Sequence, residues 1–531
     1  MSTLRPDVAI IGGGLGGVAA ALSVLRLGRT VVLTEPTAWL GGQLTAQGVP
    51  PDEHLWVEQF GVTRTYRALR DGIRAYYRAH YPLSAAARAD GRLNPGRGNV
   101  SRLCHEPRVA VAVIEQLLAP YRSSGRLTVL HHVEPSGVDV AGDTVRAVVV
   151  RDDAGDETRI EAPIVLDATE TGDLLPLAGA EYVTGSESHA DTGEPHAPAV
   201  ADPLNMQAVT WCFAFDHVAG DHTIPRPPQY DHWRSWAPDF WGAPLLSFVA
   251  PDPRTLEPVA RTMHVNPDPR QRPLTTQDLA GDKDLWVFRR IAARATFEDG
   301  FLASDIVLAN WPMLDYLGGP ITETADAAEH LAATRSLSLS YVHWLQTEAP
   351  RPDGGHGWPG LRLRGDVLGT SDGLAMAPYI RESRRIRALR TIVEQDISVE
   401  AGGTAEPARF DDSVGVGMYR IDIHPTTGGD NYIDVECRPF EIPLTALVPV
   451  RLANLLPAGK NIGTTHITNG AYRLHPVEWN IGESAGALAV QCLETGLRPQ
   501  DVALSNAETR TLQATLTELG VELHWPDVRG Y

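Results

Sequence analysis

The sequence predicts an α/β fold, in which a parallel sheet covered by helices is interrupted by a second region of α+β type. Three observations support this prediction. The apolar, β-branched run at residues 7–11 leads through a glycine-rich turn into small and apolar residues at helical spacing. Two further apolar runs, at residues 164–168 and 454–459, end in small-residue turns typical of buried parallel strands. Between them, residues 219–283 carry many prolines and little periodicity, which indicates a different kind of structure.

The glycine-rich turn reads Gly12-Gly-Gly14-Leu15-Gly16-Gly17 and fits the pattern G-x-G-x-x-G. Gly12 permits a tight strand-to-helix turn, Gly14 lets the backbone approach a pyrophosphate, and Gly17 lets the helix pack on the strand. The free amides at the start of the helix then face the negative phosphates. Because a strand precedes the pattern and a helix follows it, we predict a Rossmann-type dinucleotide-binding domain.

An acidic residue completes this signature. A second strand, at residues 30–33, leads to Glu35. At the end of that strand a carboxylate accepts hydrogen bonds from both hydroxyls of the adenosine ribose. The same carboxylate disfavours a 2′-phosphate, so the site is expected to prefer FAD or NAD over NADP.

Further blocks distinguish FAD from NAD. They are Gly41-Gly42-Gln43-Leu-Thr45, Cys104-His-Glu-Pro-Arg108, Asp167-Ala-Thr-Glu-Thr-Gly-Asp173 and the glycine turn at residues 454–463. With these blocks the sequence resembles the glutathione-reductase-like FAD superfamily, and more narrowly the bacterial FAD-dependent oxidoreductase family. The resemblance runs from about residue 6 to residue 495.

The resemblance implies that the cofactor is FAD. It assigns the contacts with the cofactor to Gly12, Gly14, Leu15, Gly16, Gly17, Glu35, Gly41, Gly42, Gln43, Thr45, Val133, Ala168, Thr169, Gly172, Gly459 and Asn461. The chain departs from the superfamily pattern after Gly459, where Lys460-Asn461 stands in place of an aspartate. The helix predicted after Pro476 would direct its N-terminus at the pyrimidine edge of the flavin and favour the anionic reduced form.

The domain organisation follows from the positions of these blocks. We expect residues 1–180 and 431–500 to form a discontinuous FAD-binding domain, with residues 181–430 inserted as an α+β substrate-binding domain. Residues 501–531 would form a C-terminal helical tail. Eight of the twelve tryptophans fall between residues 211 and 358. They either line an apolar pocket beside the flavin or pack the core of the insertion.

Composition and charge exclude several classes of partner. A net charge of -20 makes nucleic acid and anionic membrane surfaces unfavourable partners. The four cysteines form no C-x-x-C, and no His/Cys cluster has the spacing of metal ligands, so no metal is expected. The uncharged run at residues 8–25 contains five glycines between Gly12 and Gly17. We interpret it as a buried strand, turn and helix rather than a targeting segment, and expect a cytoplasmic protein with a small-molecule substrate.

The reaction predicted is direct hydride transfer from a small organic substrate to non-covalent FAD. We expect the substrate to belong to specialised metabolism. No second G-x-G-x-x-G has the strand–turn–helix context of a nicotinamide domain, and no cysteine pair suits a disulfide reductase. Dioxygen or another acceptor would reoxidise the flavin. The alternatives are a monooxygenase reduced by NAD(P)H without a dedicated nicotinamide domain, and a non-catalytic flavin-binding electron-transfer protein.

The candidate catalytic residues are His466, Arg473 and His475, because they directly precede the helix expected to face the flavin. Of two other clusters, residues 47–54 contain two acids and a histidine, and residues 102–108 contain an acid, a histidine and two arginines. Their histidines, His54 and His105, are candidate points of covalent flavin attachment. The arginines at residues 381–385 suit either a structural ion-pair network or a carboxylate substrate, and the network is the favoured interpretation.

Overall fold

A five-stranded parallel sheet forms the centre of the protein in this computed structural model, which describes residues 2–267 and 282–530. Its strands lie in the spatial order Leu455–Pro457, Ile164–Asp167, Val8–Ile11, Val31–Glu35 and Leu127–His131. All four neighbouring pairs are parallel. Ile11 and Pro457 both pair with Asp167, so three of the strands end level with one another. The α/β class and the parallel sheet predicted from the sequence are therefore confirmed.

Two helices pack against each other beside this sheet. The first, Leu15–Arg26, follows the glycine turn at residues 12–17. The second, His475–Thr495, lies after the glycine turn at residues 454–463. Their close approach depends on missing side chains. A Cβ atom on Gly482 would lie 2.0 Å from the carbonyl oxygen of Gly16, and one on Gly486 would lie 2.6 Å from that of Ala20. The glycines of the second helix thus let the two backbones touch.

A second sheet packs against one face of the first and shares a hydrophobic core with it. It consists of Ser2–Leu4, Glu157–Ile160, Thr144–Asp152 and Val133–Ala141, in that order. From the sequence we expect one strand over residues 127–133 and another over residues 159–166, but each of these runs is divided between the two sheets. His132, with φ of 58°, turns the chain from one sheet to the other, because its left-handed conformation ends the first strand. Pro163, which has no N–H to donate, lies in the break before Ile164.

The inserted region has a hydrophobic core of its own. Four antiparallel strands, Arg290–Ala292, Ile306–Ala309, Phe213–His217 and Leu361–Leu363, pack with the helix Ala327–Thr347. The core contains six buried tryptophans, Trp233, Trp241, Trp286, Trp311, Trp344 and Trp358. The clustered tryptophans therefore pack this core.

The remaining regular elements complete the two regions. The other helices are Arg64–His80, Ala85–Ala89, Pro107–Ser123, Leu174–Leu177, His189–Thr192, Tyr230–Ser235, Leu285–Phe288, Gly365–Leu368, Glu394–Ile397, Val399–Gly402, His466–Tyr472, Pro499–Ala503 and Asn506–Leu519. The other strands are Tyr182–Val183, Val249–Pro251, Pro258–Ala260, Arg385–Ile386, Ser413–Gly417, Ile421–Ile423, Ile433–Val435 and Phe440–Pro443. Among the described helices, none combines the length and the apolar character that crossing a bilayer requires.

Candidate active site

A cavity of about 620 Å³ opens at the carboxyl ends of the central strands. This is the place where open parallel sheets bind their ligands. Predicted cofactor residues in its wall are Gly12, Gly14, Glu35, Gly42, Val133, Ala168 and Thr169. The other predicted ones, Leu15, Gly16, Gly17, Gly41, Gln43, Thr45, Gly172, Gly459 and Asn461, lie around it without lining it. The wall also includes Ala46, Gln47, Ala377, Pro378 and Ile380.

The glycine turn leaves the floor of the cavity without side chains. A Cβ on Gly12 would lie 2.2 Å from the carbonyl oxygen of Ala168, and one on Gly14 would lie 2.8 Å from Oε1 of Glu170. Gly17 has the packing role predicted for it, since its Cβ would lie 2.0 Å from the carbonyl oxygen of Gly12. Backbone amides therefore form the surface that a ligand meets here.

Glu35 stands at one end of the cavity. The backbone N–H and the hydroxyl of Thr37 both donate to Oε1 of Glu35, at 2.9 and 2.6 Å. Burial raises the pKa of Glu35 to about 7, although the Thr37 hydrogen bonds oppose the shift. The carboxylate is thus built to accept hydrogen bonds, and its charge is sensitive to pH near neutrality.

Asp167 and Asn461 hold the turns on the opposite side of the glycine loop. Asp167 accepts hydrogen bonds from the N–H and the hydroxyl of Thr169, at 3.0 and 2.7 Å. Burial raises the pKa of Asp167 to about 7. Nδ2 of Asn461 donates to the carbonyl of Asp167 at 3.0 Å, and the N–H of Gly459 donates to Oδ1 of Asn461 at 3.2 Å. Both polar atoms of the Asn461 amide therefore bind backbone.

Lys460, which replaces the usual aspartate, lies in a buried charge cluster beside the glycine loop. Its Nζ forms an ion pair with Glu170 and lies 3.8 Å from Oε2 of Glu478. Gln43 donates from Nε2 to the Glu478 carboxylate and to the carbonyl of Arg473, the latter at 3.1 Å. Oε1 of Glu170 and Oε1 of Gln43 are buried and have no hydrogen-bond partner among the described residues. These two oxygens are free to accept from a ligand.

Arg473 and His475, two of the three predicted catalytic residues, lie together. Arg473 donates to the Tyr379 hydroxyl at 2.9 Å and to Oδ2 of Asp422 at 3.0 Å, while its Nε has no hydrogen-bond partner among the described residues. Nδ1 of His475 accepts from the N–H of Asp52 at 3.1 Å, so the ring proton lies on Nε2. Burial lowers the pKa of His475 well below its usual value. His475 is therefore a neutral donor, not a base.

His466, the third predicted residue, has a different environment. Its Nδ1 lies 3.0 Å from both carboxylate oxygens of Glu382, which also forms an ion pair with Arg385. All three side chains are buried. Their contacts connect the start of the helix His466–Tyr472 to the strand Arg385–Ile386.

Asp52 and Arg289 extend the site beyond the three predicted catalytic residues. Oδ1 of Asp52 lies 3.8 Å from Nη1 of Arg289. Burial raises the pKa of Asp52, opposed by the charges of Arg289 and Arg473. Asp52 belongs to the cluster at residues 47–54, which the sequence did identify. Arg289 comes from the inserted region, and no motif marks it.

The two histidines considered for covalent attachment differ in their free atoms. His54 uses both ring nitrogens, since Nε2 donates to the carbonyl of Gly61 at 3.0 Å and Nδ1 accepts from Trp56 at 3.2 Å. His105 donates from Nδ1 to the carbonyl of Glu106 at 3.0 Å, and its buried Nε2 has no partner in the described structure. Burial lowers the pKa of each histidine to about 4. Only His105 keeps an unshared ring nitrogen.

The arginines at residues 381–385 form ion pairs, as favoured from the sequence. Arg381 lies 3.0 Å from Asp315, Arg384 lies 2.6 Å from Glu323, and Arg385 lies 2.9 Å from Glu187. Each of these guanidinium groups therefore has a carboxylate from the protein itself.

Comparison with known protein families identifies the family of this chain. The sequence model of the family described as FAD dependent oxidoreductase matches residues 7–516. The chain belongs to this family. It is an FAD-dependent oxidoreductase, and FAD is its cofactor. A search of the curated proteins gives no significant match.

Solved structures show only partial likeness. L-proline dehydrogenase from P. horikoshii is 19% identical, with 35% of this chain and 24% of that chain covered and a TM-score of 0.18. The myxobacterial chondrochloren halogenase CndH is 17% identical, with 42% and 45% covered and a TM-score of 0.22. The flavin-dependent monooxygenase PieE is 19% identical, with 41% and 36% covered and a TM-score of 0.24. The matched part thus spans less than half of each of these chains, too little to indicate a reaction.

The residues in and around the cavity suit FAD independently of these comparisons. The glycine turn leaves room for a pyrophosphate where any Cβ would clash. Glu35 offers a carboxylate to ribose hydroxyls, and the free oxygens of Gln43 and Glu170 suit further O–H and N–H donors.

Proposed function

We propose that this protein oxidises a small organic substrate by direct hydride transfer to non-covalently bound FAD, with dioxygen or another acceptor as the final oxidant. The observation that carries the proposal is the polar cluster of Asp52, Arg289, Arg473 and His475, in which Asp52 follows cavity-lining residues on the same loop. Ala46 and Gln47 line the cavity five or so residues before Asp52 on the same loop, and Gln43 bonds the carbonyl of Arg473.

The proposed cofactor contacts follow the cavity from end to end. Glu35 and Val133 would hold the adenosine, and Gly12, Gly14 and Thr169 the pyrophosphate. Gly42 and Gln43 would lie towards the flavin. Asn461 and Gly459 would support these contacts through the backbone, because the amide of Asn461 already bonds Asp167 and Gly459. Residues 181–430 supply Arg289 and Tyr379, in agreement with a substrate-binding role for the insertion.

FAD supplies a two-electron acceptor for the hydride. The protein must supply a base for the proton that leaves the substrate O–H or N–H group. Asp52 suits this role, because its carboxylate is buried with a raised pKa and has no hydrogen-bonding cation. His475 cannot act as the base while Nδ1 accepts from Asp52, but its Nε2–H can donate to a substrate oxygen. Arg473 would fix the substrate through its free Nε–H.

A separate nicotinamide site finds no support in the architecture. Within residues 2–267 and 282–530, a single sheet consists wholly of parallel strands, and it carries the one glycine fingerprint. A monooxygenase or a dehydrogenase with a bound nicotinamide would need room for that second cofactor. The architecture therefore argues against a dedicated nicotinamide domain, and the experiment below separates direct oxidation of the substrate from a monooxygenase that binds NAD(P)H without one.

Anaerobic mixing tests the proposal. The purified holoprotein is mixed separately with NADH, with NADPH and with a panel of small organic acids, alcohols and amines, and the flavin absorption band is followed. We expect at least one member of the panel to bleach the flavin and neither nicotinamide to do so. Rapid bleaching by NADPH alone would support the monooxygenase instead.

Acid precipitation tests whether the flavin is covalently attached, and it should release the flavin into solution. Flavin retained by the wild type but not by H105A would show covalent attachment.

A further inference from the structure

Arg289 is a cation only 11% exposed, and two of its nitrogen atoms have no acceptor among the described residues. Its Nε and Nη1 atoms are buried and lack hydrogen-bond partners among the described residues. The nearest carboxylate in an ion pair with it, Asp52, is 3.8 Å away, beyond hydrogen-bond distance. An unpaired buried charge is costly, and protein structures normally satisfy it with a counter-ion.

The neighbouring arginines differ in having a carboxylate within hydrogen-bond distance. Arg473 has Asp422 at 3.0 Å, and Arg381 has Asp315 at 3.0 Å. Asp315 also accepts from His424 at 2.5 Å. These two carboxylates are thus paired with other cations, and among the described residues Arg289 has Asp52 at 3.8 Å and the ring of Phe288, 5.0 Å from its centroid.

Unpartnered donors converge around Asp52. Besides Nε and Nη1 of Arg289, Nε of Arg473 and Nε2 of His475 are buried without acceptors among the described residues. His475 is bonded to the backbone of Asp52, and the Arg289 charge contributes to the low pKa of His475 after burial. Donors from three side chains therefore lack an acceptor within hydrogen-bond distance in the described part of the chain, although the backbone of Val49 acts on the His475 ring and raises its pKa against burial. A carboxylate supplies two such oxygens and the missing negative charge, and a guanidinium binds it with two parallel hydrogen bonds.

We propose that the substrate is an organic carboxylate, and that Arg289 binds its carboxyl group next to Asp52. This inference rests on the proposed function, since it names the substrate class for the same site. Arg289 comes from the inserted region and Asp52 from the loop after the glycine block, so the carboxylate would bridge the two parts of the chain.

Calorimetric titration of the FAD-loaded protein tests the inference without any turnover. The probes are benzoate and propionate, with benzamide and propionamide as neutral analogues and chloride as a simple anion. The wild type should bind at least one carboxylate saturably, and bind the matching amide and chloride at least about tenfold more weakly. R289Q should weaken carboxylate binding by about 10- to 100-fold, the range expected for hydrogen bonds to a charged group.

R335Q is the matched control, because it removes the same charge from a side chain that is 40% exposed. It should bind the probes like the wild type. If R289Q does not fold, R289K replaces it, since a lysine keeps the charge but loses the paired donors and should also bind more weakly. Equal binding of acid and amide, binding of neither, or unchanged carboxylate binding in a folded Arg289 variant would overturn the inference. Those outcomes would leave the proposed function standing, whereas bleaching of the flavin by NADPH alone would contradict the proposed function and not the anion site.

Discussion

The backbone N–H of Asp52 donates to Nδ1 of His475 at 3.1 Å, joining the loop after the glycine block to the first residue of the long C-terminal helix. This hydrogen bond fixes the tautomer of His475, so that Nε2 carries the proton. It also leaves the Asp52 carboxylate free of His475 and close to Arg289. The imidazole therefore acts as a donor, and the acid beside it becomes the candidate base.

Replacing Asp52 by asparagine should remove the base while keeping the hydrogen bond from its backbone. We expect substrate-dependent flavin reduction to slow by about 10²- to 10⁴-fold, the usual contribution of a positioned base, with unchanged FAD content. Burial raises the pKa of Asp52, and a base works only when ionised, so the wild-type rate should fall as pH decreases through that pKa. The low-pH decline should disappear in D52N. Stopped-flow absorbance measures both effects, and D231N, at a site 81% exposed, is the charge-matched control.

Replacing Glu35 by glutamine should affect the free protein and the cofactor complex in opposite directions. The folded-state pKa of Glu35 is raised from 4.5 to about 7, so its contribution to stability is present below 4.5 and lost as pH rises through 7. At about pH 8, E35Q should raise the free energy of unfolding of the apoprotein by up to about 3 kcal/mol, and at about pH 5 by much less. FAD should nevertheless bind about tenfold or more weakly, because an amide oxygen replaces a carboxylate. Chemical denaturation and FAD titration measure the two quantities, and a loss of apoprotein stability at high pH would contradict the account.

Gly482 tests the contact between the two long helices. A Cβ there would meet the backbone oxygen of Gly16 at 2.0 Å, and backbone cannot move aside as a flexible side chain can. Overpacking costs about 1–3 kcal/mol, more than the roughly 1 kcal/mol that alanine gains in a helix. G482A should therefore lower the free energy of unfolding and weaken FAD binding. Gly137, with nothing within 4 Å of its Cβ position, is the control, and G137A should change stability by less than about 0.5 kcal/mol.

His466 distinguishes a positioning role from a catalytic one. Burial alone would lower its pKa, but the Glu382 carboxylate outweighs burial and the pKa is raised. The ion pair therefore stabilises the fold below pH 6.5 and loses this contribution as pH rises through the raised pKa. H466Q should cost about 3–5 kcal/mol near neutral pH and less in alkali, with flavin reduction within a few-fold of wild type. A large loss of rate with unchanged stability would instead support the catalytic role suggested by the sequence.

The sequence predicted those parts of the site that depend on local geometry. The glycine turn, the strand that ends at Glu35 and the start of the last long helix follow from the spacing of small and apolar residues. Arg289 could not be predicted from the sequence. Its role depends on which charged groups its neighbours pair with, and the tertiary structure decides that pairing. His466 shows the same limit, since only the fold brings Glu382 to it. The strand ends at His132 and Pro163 were missed because continuous apolar runs conceal a change of sheet.

A crystal structure of the protein with FAD bound tests the central claim most directly. The account predicts an adenosine ribose within hydrogen-bond distance of Glu35, the pyrophosphate against the amides after Gly12, and the flavin ring beside Gln43 and Gln47. Asp52 and Arg289 should lie on the open, substrate-facing side of that ring. A flavin ring positioned away from Asp52, or an adenosine that does not contact Glu35, would contradict the account.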